Sequence, residues 1–145
     1  MKKISIFVFA LVFLSCIEKA SDCEDNSAPY WTVSVIGNPH NTRIQGENIT
    51  IRKAFQELVD TEINITPNNG FITLKLHLDK SGNFCNQENF QIDTDYQATE
   101  FNDGDLITKL ENISSKLEGW LNDTESKTYY LIRLKIQDGQ IAEIF

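Results

Sequence analysis

Of the side chains that do chemistry, this sequence offers three cysteines and two histidines, and their spacing limits their use. Cys16 closes an apolar N-terminal run, while Cys23 and Cys85 lie in the polar remainder. Neither of the latter has a histidine or a further free cysteine at the spacing that builds a zinc site. His40 stands in a Gly/Asn/Pro-rich stretch suited to a turn, and His77 shares the polar side of an alternating segment with Lys75. With no nucleophile paired to it, neither histidine reads as a general base. A Gly-Xaa-Ser-Xaa-Gly elbow and a phosphate-cradling glycine loop are both absent. Asp93, Asp95, Glu100, Asp103 and Asp105 offer carboxylate oxygens, but Ala98 and Gly104 stand where a calcium loop needs glycine and a bidentate glutamate. They read as a solvated loop. The expectation is a chain without a catalytic residue, a cofactor or a metal.

The N-terminus carries an address. Met1-Lys2-Lys3 is a short positive stretch, and 4–14 is apolar apart from Ser5. That run has the length of a signal sequence's apolar region and falls short of the roughly 20 residues that span a bilayer. Its end, Phe13-Leu14-Ser15-Cys16, resembles the lipobox of bacterial lipoproteins, with Phe13 where leucine is usual. The resemblance implies cleavage before Cys16 and a diacylglycerol on its thiol. Two acyl chains anchor stably where one binds only marginally. The acidic residues that follow, Glu18, Asp22, Glu24 and Asp25, are similar to the surface-export signals of Bacteroidota-type lipoproteins and equally suit a plain solvated tether. The implied location is the outer membrane, on its periplasmic face or at the cell surface. The chain then divides into a signal peptide at 1–15, an acidic tether at 16–28 and one domain at 29–145. Export places Cys23 and Cys85 in an oxidising compartment, where an even pair reads as a disulfide.

Charge narrows the partners. The formal charge is −8, and loss of 1–15 removes Lys2 and Lys3 but no acid, leaving −10. A domain this acidic is a poor candidate for binding nucleic acid or an anionic membrane surface by charge; the membrane contact expected of it is the lipid anchor.

The elements follow from periodicity. Residues 30–36 alternate, with Trp31, Val33 and Val35 on one side, which predicts a strand. Ile51, Phe55, Leu58 and Val59 recur at helical spacing and predict a helix over about 49–60. After the turn sequence Pro67-Asn68-Asn69-Gly70, Ile72, Leu74, Leu76 and Leu78 alternate with Phe71, Thr73, Lys75 and His77. Asp79-Lys80-Ser81-Gly82 turns the chain into a strand carrying Phe84, Phe90 and Ile92, interrupted around Asn86-Gln87-Glu88. The polar stretch 93–105 reads as a loop, with Asp105 capping a helix that carries Leu106, Leu110, Ile113, Leu117, Trp120 and Leu121 on one face. Tyr130, Ile132, Leu134 and Ile136 then alternate with Leu131, Arg133 and Lys135, and Asp138-Gly139 turns into a short strand over 141–145. Helix, strand, turn and strand thus occur twice. One-sided strands and helices predict an α+β two-layer sandwich, a small antiparallel sheet of four to five strands with two helices on one face.

The hairpin Phe71-Ile72-Thr73-Leu74-Lys75-Leu76-His77-Leu78-Asp79-Lys80-Ser81-Gly82-Asn83, the helix from Leu106 ending in Leu117-Glu118-Gly119-Trp120, and the last long strand over 129–136 resemble the C-terminal domain of TonB-type energy transducers. The likeness covers roughly 55–145. The family's tyrosine-proline before the hairpin and its proline after the tryptophan are missing, and no proline-rich spacer is present. What the resemblance implies is docking, by an edge strand that pairs with a partner's extended peptide. Phe71 and Tyr129 stand on the polar sides of their strands, where a solvent face does not want them. With Leu131 and Arg133 they are the candidate partner-binding residues. The expectation is a non-enzymatic, membrane-anchored envelope lipoprotein with a protein partner; the alternative is an inhibitor or immunity-type lipoprotein that blocks an enzyme or toxin with its acidic surface.

Overall fold

The computed structural model of the chain describes Cys23 and residues 42–123 and 127–145. The strand expected over 30–36, with Trp31, His40 and Cys16, the expected site of lipidation, lies outside them.

The fold is α+β. Six strands, β1 (Arg43–Ile44), β2 (Gly70–Leu78), β3 (Phe84–Ile92), β4 (Trp120–Leu121), β5 (Thr128–Gln137) and β6 (Gln140–Ile144), accompany two helices, α1 (Glu47–Thr61) and α2 (Asp105–Ser114). Four strands make an antiparallel sheet in the order β3-β2-β5-β6, and β1 pairs with β4 in a separate two-stranded piece. The repeat seen in sequence is visible as an arrangement: β2 and β5 pair at the centre, and each is followed by its hairpin partner on the outside.

The core lies between the sheet and the helices. Ile72, Leu74, Leu76 and Leu78 of β2 and Ile132, Leu134 and Ile136 of β5 meet Ile51, Phe55 and Leu58 of α1 and Leu106 and Leu110 of α2 in one buried cluster. Alternation puts every second strand residue on this side, and three- and four-residue spacing puts the helical ones on one stripe. Both helices therefore cover the same face. Among the described residues no helix is long and apolar enough to cross a membrane.

The β2–β3 turn is built by one carboxylate. Asp79 is buried, and its Oδ1 accepts from the backbone N–H of Ser81 and of Asn83, both at 2.8 Å, while its Oδ2 accepts from Asn83 Nδ2 at 2.7 Å. Gly82 closes the turn with φ +80°, and a Cβ there would stand 2.6 Å from the Trp120 carbonyl oxygen. Only glycine combines that backbone with that approach. Beside this turn Cys23 and Cys85 are joined, Cα to Cα 5.5 Å, and Lys127 Nζ donates to the Cys23 carbonyl at 2.9 Å.

Several sequence expectations are corrected. Strand β3 is continuous through Asn86, Gln87 and Glu88, which pair with His77, Leu76 and Lys75; the irregularity sits at Cys85, where the register shifts. Helix α2 begins after Gly104, so Asp105 is its first residue and not its cap. It also ends early, at Ser114. Leu117 and Trp120 are still buried, but Trp120 belongs to β4 opposite Ile44, and Leu121 is exposed. Past Ser114 the backbone tightens to three-residue bonds, Lys116 N–H to the Ile113 carbonyl at 3.1 Å and Leu117 N–H to the Ser114 carbonyl at 3.2 Å, and Gly119 turns it at φ +81°. Ser114 Oγ donates to Gln87 Oε1 at 2.6 Å, tying the helix end to the sheet, and Trp120 Nε1 reaches the Leu117 carbonyl at 3.1 Å. The stretch 93–105 is more than a solvated loop, because Phe101 is fully buried in it.

Candidate functional site

The second face of the four-stranded sheet carries no helix among the described residues. Cross-strand partners point to the same face of a sheet, so the register fixes its layout in rows. Ile92, Phe71, Lys135 and Glu143 form the first; Phe90, Thr73 and Arg133 form the second. Phe145 completes the second row, since its N–H and carbonyl both bond to those of Arg133, at 2.9 and 2.7 Å. Glu88, Lys75 and Leu131 make the third, and Asn86, His77 and Tyr129 the fourth.

This face mixes apolar and cationic groups. Phe90, Leu131 and Phe145 are 52%, 48% and 49% exposed. Lys75 lies 5.3 Å from the Tyr129 ring centre and Arg133 lies 5.2 Å from that of Phe71, both in cation–π geometry. Lys75 and Lys135 each also meet a carboxylate, Glu88 at 3.4 Å and Glu143 at 3.0 Å. His77 is buried and its Nε2 stands 2.7 Å from Glu88 Oε1.

That contact, aided by Lys75, holds the Glu88 carboxyl below its ordinary value of 4.5. A carboxylate lowered in this way contributes stability above its unfolded pKa and loses it as pH falls through the folded one. Glu88 is half exposed, so its share of the stability is small. The expected result is a Glu88 titration midpoint below 4.5 in carbon-detected NMR, rising when His77→Gln removes the imidazole hydrogen bond. An unchanged midpoint in that variant would show that the His77 contact is not the cause.

All four residues singled out in the sequence, Phe71, Tyr129, Leu131 and Arg133, lie on this one face. No family model, no curated protein and no solved structure matches the chain. The site therefore rests on its own geometry.

Sequence reasoning missed Phe90 and Phe145. In β3 the polar residues Gln87, Asn89 and Gln91 pair with core residues Leu76, Leu74 and Ile72, which puts them on the helix side. They are held there by bonds: Gln87 to Ser114, Asn89 Nδ2 to Glu111 Oε1 at 2.9 Å, and Gln91 Oε1 to the N–H of Phe101 at 3.1 Å. Phe90 and Ile92 are consequently turned outward. Phe84, of the same parity, packs against the core because the extra residue at Cys85 reverses the alternation between them. The available signal was the polar character of 87, 89 and 91, which suits an edge strand bonded to a helix.

The β6 edge adjoins this face. Because the backbone of Phe145 points toward β5, that of Ile144 points away. The outer side of β6 near Gln140 is already taken by a bridge to Ile63. Beside the remainder runs a groove of ≈ 290 Å³ between Arg52, Gln56 and Val59 of α1 and the strand from Ile141 to Phe145.

The acids Asp93, Asp95, Glu100, Asp103 and Asp105 fall at the opposite end of the sheet from the disulfide. Asp93 Oδ1 is engaged by its own turn, accepting from the N–H of Asp95 and of Gln97 at 2.9 Å. Among the described residues no three His, Cys, Asp or Glu side chains are placed to hold a metal ion.

Proposed function

We propose that this chain is an envelope lipoprotein, anchored through an acylated Cys16, whose α+β domain binds a protein partner and catalyses nothing. The observation that carries the reading is the sheet face that no helix covers among the described residues, with Phe90, Leu131 and Phe145 each about half exposed on it. Large apolar groups collected on one face mark an interaction surface more often than scattered ones do. Phe145 joins that face to the β6 edge, so a partner strand added there would lay one set of side chains beyond Phe145 and the other over Arg52 and Val59.

The test is cross-linking capture by the acylated protein from its own membranes, at low and high salt, for the unaltered chain beside a Leu131→Glu variant. Leu131 is exposed, so the variant should keep its stability within about 0.5 kcal/mol and lose capture by about tenfold or more. A partner retained equally by both forms would rule out the face. Recovery of Cys16→Ser in the membrane fraction would rule out the anchor. The exposed acids at 93–105 favour the inhibitor reading as the second choice; it requires a basic partner released at high salt.

A further inference from the structure

We infer that the open face selects an acidic group flanked by apolar side chains, and that Arg133 reads the acid. The inference rests on the docking reading above and adds the chemistry of the partner. Arg133 is exposed at the middle of its row, and no Asp or Glu side chain pairs with its guanidinium among the described residues. The other two cations of the face, Lys75 and Lys135, each already have one. In a chain of net charge −8 a guanidinium left without an acid, while its neighbours are paired, is the group with charge to offer. Its plane is steadied by the Phe71 ring at 5.2 Å, and such stacking leaves the N–H fork open to a carboxylate.

The flanks supply the apolar part. Phe90 and Phe145 stand at the two ends of the row that holds Arg133. Across four strands at about 4.8 Å spacing that row is roughly 14 Å long, the length of about four extended residues. A segment whose acid stands two residues from an apolar side chain on either side fits it, since alternate residues of an extended chain face the same way: the carboxylate on Arg133, the apolar groups toward Phe90 and toward Leu131 or Phe145. A basic segment meets Arg133, a like charge, at the middle of the second row. A purely apolar one leaves the guanidinium covered and unpaired, at the cost of its hydration.

The probes are acetylated, amidated leucyl-seryl-glutamyl-seryl-leucine, which puts both leucines and the glutamate on one side of an extended chain, and its glutaminyl counterpart, titrated into the isotope-labelled full chain by NMR at low salt. The glutamyl peptide should give saturable shifts at the Arg133 side-chain Nε–H and at Leu131, Phe90 and Phe145. The glutaminyl peptide should bind about tenfold more weakly, the usual advantage of a charge-assisted hydrogen bond. Arg133→Met should abolish the difference between the two, and Arg133→Lys should keep part of it. Arg133 is exposed, so neither variant should disturb the fold. Equal binding of the two peptides on this face would overturn the acid preference and leave docking intact. Failure of both to shift these residues would overturn the inference, while membrane capture would still judge the docking reading separately.

Discussion

Phe101→Ala should be the most destabilising single substitution in the polar half of this chain, by about 3–5 kcal/mol. The ring is fully buried although its neighbours are polar. It fills space beside Gly70, where a Cβ would stand 2.8 Å from the tip of the ring and 2.3 Å from the Ile92 carbonyl oxygen. The surrounding backbone is fastened on both sides: Asn102 N–H donates to the Thr66 carbonyl at 2.7 Å, and Thr66 N–H donates to Asn102 Oδ1 at 2.8 Å. A segment held so closely cannot collapse into the hole, so the cavity persists and the cost lies high in the usual range. Against a typical total of about 5–15 kcal/mol the variant should melt well over about 10 °C lower. Tyr96→Ala is the internal control, since that ring is exposed in the same stretch. Similar melting temperatures for the two variants would mean that Phe101 contributes no more than a surface residue.

Removing the Cys23–Cys85 bond should have an effect of the same order. The two residues are 62 apart in sequence. Closing a loop of that length lowers the entropy of the unfolded chain by about 4 kcal/mol in the chain-entropy model. A native contact goes with it, because the buried Lys127 donates to the Cys23 carbonyl and the bond fixes where that carbonyl lies. Urea unfolding of the oxidised protein, of the reduced protein and of a Cys23→Ser, Cys85→Ser variant measures it. The reduced and doubly substituted forms should share a midpoint well below that of the oxidised form. Coincident midpoints for all three would show that the unfolded chain gains no freedom from losing the bond.

The two predictions sit on opposite sides of what a sequence discloses. Cys23 and Cys85 were readable as a pair because export and an even count suffice to suggest pairing. Phe101 was not readable as core. It is a lone aromatic among Asn, Asp, Glu and Gly, and no periodic pattern surrounds it. Its burial depends on Gly70 and Thr66 arriving from more than thirty residues away, which no local window contains.

The sequence by itself left the short pair β1 and β4 unforeseen and Trp120 read as helix, but determined the existence and kind of the larger elements: α1 from Ile51, Phe55 and Leu58, β2 and β5 from strict alternation, and both hairpin turns from Asp-to-Gly signals. These are local consequences of a 3.6- or 2-residue period, and they were enough for the α+β sandwich. Only the tertiary structure decided which side of β3 faces the helices, where α2 stops, and that Phe71, Tyr129, Leu131 and Arg133 share a face with Phe90 and Phe145. Periodicity reports that a strand has two unlike sides but not which one is covered, and a single extra residue at Cys85 exchanges them. That choice is made by bonds between residues distant in sequence, Gln87 to Ser114 and Asn89 to Glu111, and by register across four strands.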